Sequence, residues 1–200
     1  MRIGIDFDNT IICYDDVFCH LARERKLVPA DFSGSKTELR DAVRATAEGD
    51  IAWQKLQGKV YGEHLNLAQM FTGVKEFIAA CNSREQVEIF IVSHKTEFGH
   101  FDEKQINLRD AARNWLRSQG FFDAQLPYIH ESNLYFESTR EAKIKRIRQL
   151  ACTHFIDDLT EVLHDPSFPS EVKSFLFQPD GNGQHVYTNW IDIKNAIFPQ

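Results

Sequence analysis

The sequence predicts an α/β protein, a parallel sheet joined by helical crossovers, with a helical insertion directly after the first strand. Three observations predict it. Short apolar runs ending in polar or acidic residues recur along the chain, amphipathic stretches of helical spacing lie between them, and the stretch 14–71 has helical patterns but no convincing strand.

Residues 2–7 (RIGIDF) form the first apolar run and suit a buried strand. Three helical patterns follow: around Val17, Phe18, Leu21 and Ala22; around Leu39 and Val43; and along Trp53, Leu56, Val60 and Leu67. Between the first two, Pro29, Ser33, Gly34 and Ser35 act as breakers. The expected division is a core of 1–13 and 72–200 with an insertion at 14–71. Val74, Phe77, Ile78 and Cys81 recur at i, i+3, i+4 and i+7, with Thr72 as the candidate N-cap. A second strand is predicted at 86–92 (QVEIFIV), and the polar stretch 94–105 reads as a mobile loop near the site. Leu108, Ala111, Ala112, Trp115 and Leu116 repeat the helical spacing, with Gly120 as a stop. A weaker third strand at 133–136, a helix carrying Ile144, Ile147 and Ala151, and strands at 153–156 and 174–177 complete the alternation.

The bulk numbers restrict the function classes. Two hundred residues with 42% hydrophobic content allow one α/β domain with a modest insertion. A net charge of -6 argues against a basic nucleic-acid surface, and the short basic run KIKRIR at 143–148 reads as a solvated helix face. Cys13, Cys19, Cys81 and Cys152 form no C-x-x-C pair or zinc-type spacing and read as reduced thiols. The opening MRIGIDFD is too short to be a secretory signal, which needs an apolar run of about 7–15 residues. No stretch approaches the roughly 18 apolar residues of a membrane span. A soluble, cytoplasmic protein without membrane or nucleic-acid partners is expected.

The chemistry sits at the ends of the apolar runs. The first ends Asp6-Phe7-Asp8-Asn9-Thr10, and the side-chain period of two lets Asp6 and Asp8 face one side of an extended chain. Two carboxylates so close repel unless a cation is near. The fourth run ends Phe155-Ile156-Asp157-Asp158, a second acidic pair. Ligands of open parallel sheets bind beyond the carboxyl ends of the strands, so neighbouring first and fourth strands would bring all four aspartates together. Such an oxygen-rich cluster suits Mg2+. Ser93 follows the second strand, where its hydroxyl can hold a phosphate oxygen. Lys143, near the start of the helix before the fourth strand, can set an ammonium against the same charge. Read alone, D-x-D-x-T is also compatible with an acidic turn; the order Asp-x-Asp, Ser, Lys, Asp-Asp carries the functional reading.

That constellation resembles the haloacid dehalogenase (HAD) superfamily. IDFDNT at 5–10 is similar to its first motif, IVS at 91–93 to its second and FIDD at 155–158 to its fourth. The third motif is a lysine; Lys143, fourteen residues before Asp157, is preferred, with Lys145 as the competitor. FTGVKEFI at 71–78 resembles the segment where the core resumes in capped members. The resemblance implies a Rossmann-like three-layer sandwich with strand order 5-4-1-2-3 and a small α-helical cap at 14–71. It implies a Mg2+-dependent phosphohydrolase acting on a small phosphorylated metabolite. Asp6 would be the nucleophile, forming an aspartyl phosphate, and Asp8 the general acid/base. Ser93 and Lys143 would bind phosphate. The metal would be held by Asp6, the backbone carbonyl of Asp8, and Asp158, with Asp157 assisting.

Other residues weigh less. His94 reads better as a surface histidine than a pocket residue, and partial burial is expected for His20 and His64. Trp53, Tyr61 and His64 read better as a core face than a substrate face. Arg40 and Arg44, one turn apart, fit an anion contact and a solvated surface equally. Three rival functions stand beside the phosphohydrolase. A phosphoacceptor receiver domain would have its motifs in another order, and an inactive binding module would have lost a carboxylate. A phosphotransferase or mutase would share all four motifs. Neither the substrate nor the oligomeric state is written in the sequence.

Overall fold

The computed structural model describes residues 1–123 and 127–199. Its strands are β1 (Arg2–Ile5), β2 (Ile12–Cys13), β3 (Gln69–Met70), β4 (Glu88–His94), β5 (Leu134–Glu137), β6 (His154–Asp157), β7 (Lys173–Phe177) and β8 (Val186–Tyr187). Its helices are α1 (Asp15–Glu24), α2 (Lys36–Arg44), α3 (Gly49–Tyr61), α4 (Val74–Asn82), α5 (Leu108–Ser118), α6 (Arg140–Gln149), α7 (Thr160–Leu163) and α8 (Trp190–Ile197). The chain divides into two compact units. One comprises Met1–Ile12, Met70–Lys95 and Leu116–Gln200; the other comprises Cys13–Gln69 and Thr96–Trp115.

The first unit is built on a six-stranded sheet in the order β5-β4-β1-β6-β7-β8, and every neighbouring pair is parallel. The five strands expected from the sequence lie third, second, first, fourth, fifth, which is the order 5-4-1-2-3 read from the other edge. The sixth, β8, was not foreseen, because two residues are too few to show a periodicity. The second strand begins two residues later than expected, after a turn in which the Val87 N–H donates to the Arg84 carbonyl at 3.0 Å. Because β1 lies between β4 and β6, the carboxyl ends of these three strands emerge side by side where the strand order reverses.

Apolar burial locks this arrangement. On one side Phe90 and Val92 of β4 and Phe155 of β6 pack with Ile147 of α6 and Leu163 of α7, together with Cys152 and Val172. Elsewhere in the unit the Trp190 ring of α8 lies 5.1 Å from Phe77 of α4 and 5.7 Å from Phe177 of β7. Its indole N–H donates to the Thr10 carbonyl at 3.1 Å, tying the segment after β1 to α8. The start of α4 differs from expectation: its N-cap is Gly73 at φ 93°, not Thr72. A Cβ at Gly73 would come within 2.8 Å of the Trp190 Cβ, so both the backbone and the packing there require glycine.

The second unit holds α1, α2 and α3 and the segment 96–115. Phe18 stacks on Trp53 at 5.1 Å, and Tyr61 meets Tyr14 edge-on at 4.9 Å, so these rings form a core. Ser35 caps α2 in a reciprocal capping box with Glu38. The stretch expected to be a mobile loop is instead packed. Asp102 is buried and accepts from the N–H groups of Lys104 and Ile106, and a Cβ at Gly99 would lie 2.8 Å from the Gly58 Cα of α3. Among the described residues no helix is long and apolar enough to cross a membrane.

Candidate active site

All the groups singled out at the strand ends belong to the first unit. Asp6 directly follows β1, Ser93 is in the last turn of the pleat of β4, and Asp157 closes β6. Lys143 reaches them from α6, whose N-cap Thr139 accepts from the Ala142 N–H at 3.1 Å and fixes where the first turn begins. Ile144 and Ile147 bury the same side of that helix, which carries Lys143 inward although α6 is otherwise strongly polar.

Asp6, Ser93, Lys143 and Asp157 are all buried. The Ser93 hydroxyl donates to Asp6 Oδ1 at 2.9 Å. The Lys143 ammonium donates to Asp6 Oδ1 and to Asp157 Oδ2, each at 2.6 Å. Both donors to Asp6 use Oδ1, so Oδ2 is the oxygen they leave to another partner. Asp157 Oδ1 accepts from the Leu159 N–H at 3.0 Å, and the Gln178 amide donates to the Asp158 carbonyl at 3.2 Å, which together hold the acidic pair. Lys145, the competing lysine, is exposed.

Carboxylate oxygens of Asp6, Asp157 and Asp158 lie within 4.8 Å of one another. The donors are all hard oxygens, the type Mg2+ prefers, and the three carboxylates could hold such an ion. The Asp8 carboxylate lies outside this group. Both its oxygens face the Lys95 ammonium at 2.9 Å instead.

The electrostatics follow from burial. Removal from water pushes the Asp6 carboxyl up to about 7; Lys143 opposes the rise, while the Asp157 and Asp8 charges add to it. For Lys143, burial favours the neutral amine, but Asp6 and Asp157 outweigh it and hold the ammonium above its usual range. The site thus pairs a buried ammonium with a carboxyl that burial makes harder to ionise.

Lys95 was missed by the sequence reading, which assigned it to a mobile loop. It is 3% exposed, and its signal was available. Ser93 and Lys95 are two residues apart, as are Asp6 and Asp8, so the period of two places both members of each pair on one side. The histidine between them, His94, is exposed and contacts the Ser138 carbonyl at 3.0 Å. The remaining candidates lie elsewhere. Arg40 pairs with Asp41 and Arg44 with Asp50 on exposed surface, and His20 is an exposed neighbour of Glu24.

No protein-family model and no curated protein sequence matches the chain. Solved structures do. A haloacid dehalogenase-like family hydrolase from Streptococcus pneumoniae aligns over 98% of this chain and 97% of its own, with a TM-score of 0.62 at 12% identity. The fold is the HAD fold. A HAD family hydrolase from Deinococcus radiodurans, with phosphate and sodium bound, aligns over 98% of this chain and 94% of its own (TM-score 0.60, 13% identity). The HAD-hydrolase YfnB of Bacillus subtilis, bound to magnesium, covers 100% and 98% (TM-score 0.59, 14% identity). In this HAD fold the sequence places its aspartates, serine and lysine at the carboxyl edge of the sheet.

Proposed function

We propose that the protein is a Mg2+-dependent phosphohydrolase acting on a small phosphate monoester, with Asp6 as nucleophile and Asp8 as general acid and base. The observation that carries this reading is the convergence of Ser93 and Lys143 on one oxygen of buried Asp6, beside the Asp157–Asp158 pair. Two donors fix the carboxylate through Oδ1 and leave Oδ2 for attack on phosphorus, and a nucleophile held in place lowers the entropic cost of that step.

In the first step an Asp6 oxygen bonds to phosphorus while the bond to the leaving oxygen breaks, and Asp8 supplies the proton that oxygen needs. In the second, Asp8 takes a proton from water, water attacks phosphorus, and the Asp6 carboxylate is released. Ser93 and Lys143 face the transferring group, and the Lys143 charge opposes the negative charge that builds on its oxygens. Mg2+ would be held by Asp6, the Asp8 backbone carbonyl and Asp158 with Asp157 assisting, and would supply positive charge that offsets the carboxylates. The HAD-fold hydrolases with bound magnesium or phosphate support the same class of ligand here. The helical stretch 14–71 takes the part of a small cap that selects the leaving group.

A panel of phosphate monoesters, assayed with Mg2+ and with chelator, tests this reading against an Asp6→Asn control. Metal-dependent phosphate release by the wild type, lost in Asp6→Asn, is the expected result. Equal release by both proteins would remove Asp6 as nucleophile, and release of phosphate only to a second hydroxyl compound would make the enzyme a phosphotransferase.

A further inference from the structure

Among the described residues, Lys95 is the buried ammonium of this edge that the proposed mechanism does not use. It follows β4 directly, its side chain is 2% exposed, and its backbone N–H donates to the Glu137 carbonyl at 2.9 Å, which pins the residue beside the end of β5. Its ammonium lies 2.9 Å from each carboxylate oxygen of Asp8 and 5.6 Å from the centre of the Phe7 ring. The pair Lys95–Asp8 repeats the pair Ser93–Asp6 two residues further along the chain in each segment, just past the ends of β1 and β4, at the same separation of 87 residues. The Asp8 side chain is 21% exposed, so the pair opens to solvent on the Asp8 side.

Two consequences follow from these contacts. At this edge the carboxylates of Asp6, Asp8, Asp157 and Asp158 meet the ammonium groups of Lys95 and Lys143; one Mg2+ would only bring the formal charges to balance, so a phosphate dianion gains from any cation that can turn towards it. Asp8, with both oxygens held by Lys95, must also be released from one of those contacts before it can reach a leaving-group oxygen. An ammonium has three donors and rotates freely about its last bond, so one lysine can serve a carboxylate and a phosphoryl oxygen in turn.

The geometry points to Lys95 as a second phosphate-site cation, for which Asp8 and a phosphoryl oxygen compete. An incoming phosphoryl group draws the ammonium from one Asp8 oxygen and gains a charge-assisted hydrogen bond; the freed Asp8 oxygen takes a proton from solvent on its open side and passes it to the leaving oxygen. Substrate binding and the readying of the acid are thereby one event. This rests on the phosphohydrolase reading and adds to it a residue outside the four motifs.

The test is calorimetric titration of inorganic phosphate, in saturating Mg2+, into the wild type, Lys95→Met, Lys95→Arg, Asp8→Asn and the Asp8→Asn/Lys95→Met double variant. Lys95→Met is expected to weaken phosphate binding about 10- to 100-fold, the range for loss of a hydrogen bond to a charged group, and to raise KM for p-nitrophenyl phosphate. Lys95→Arg is expected to recover most of the binding. Asp8→Asn is expected to bind phosphate more tightly than the wild type, and the gain should vanish in the double variant. Phosphate affinity within about twofold of the wild type in a folded Lys95→Met would overturn the assignment. Should that variant not fold, equal affinities in Asp8→Asn and the double variant, where no charge is left unpaired, would overturn it too. A wild type that binds no phosphate with Mg2+ removes the phosphohydrolase reading itself. Wild-type binding, with turnover lost in Asp6→Asn but affinity indifferent to Lys95, removes only the role of Lys95.

Discussion

Replacing Lys143 by Met tests how the buried cluster is held together. The ammonium joins Asp6 and Asp157 at 2.6 Å each, and all three groups are shielded from water. Methionine fills much of the same space, so the change leaves two carboxyls without their shared cation and makes little cavity. Breaking a buried pair by removing one partner costs about 3–5 kcal/mol. For a chain of this size each kcal/mol moves the midpoint by about 2–4 °C, so a loss of roughly 6–20 °C is expected at pH 8 in chelator. At pH 5 the loss should shrink, because Asp6, already pushed up to about 7 by burial, takes up a proton instead of remaining as an unpaired charge. Asp6→Asn combined with Lys143→Met should return part of the lost stability, since one of the stranded charges is gone. Thermal unfolding followed by circular dichroism reads all of these. A Lys143→Met midpoint within about 2 °C of the wild type at pH 8, unchanged by chelator, would refute the account of Lys143 as the cation that holds the cluster.

Four further outcomes follow from the same geometry. With chelator present, wild-type stability should fall as pH rises from about 4 towards 7, because a carboxyl raised from 3.8 to about 7 binds more protons folded than unfolded across that window. Unfolding midpoints at steps of pH should show that slope, flattened in Asp6→Asn; parallel profiles would contradict it. Mg2+ should raise the wild-type midpoint, and Asp158→Asn should weaken that response by removing one of three clustered carboxylates, as a titration of midpoint against Mg2+ would show. Ser93→Ala should lower stability by about 1 kcal/mol in denaturant unfolding through loss of its bond to Asp6, with a larger effect on turnover than on folding. Burial pushes the Cys81 thiol up to about 12 and Cys152 up to about 11, so both should resist a thiol reagent at pH 8 until denaturant is added.

The parts of the molecule legible in the sequence were those written in short apolar runs and their ends. β1, β4 and β6 are near-continuous hydrophobic segments, as buried parallel strands must be, and the polar residue that stops each one lies at the same edge of the sheet. Asp6, Ser93 and Asp157 could therefore be placed at that edge from the ends of the apolar runs, and Lys143 from the helix that precedes β6. What stayed hidden depended on partners remote in the chain. The period of two marks the side of the chain on which Lys95 lies, but not its burial, which depends on the Asp8 carboxylate 87 residues away. Gly73 displaces Thr72 as a cap because Trp190 presses against it, and Gly99 is a packing residue only because Gly58 faces it. β8 pairs through two residues and has no pattern to read.

The membership of 96–115 in the second compact unit bears on how the protein can be cut. A minimal variant made by splicing out 13–69 alone would strand twenty residues whose glycine seat on α3 had been deleted, and such an orphaned stretch invites proteolysis and aggregation. Trimming to the sheet-bearing unit therefore requires two excisions, of 13–69 and of 96–115.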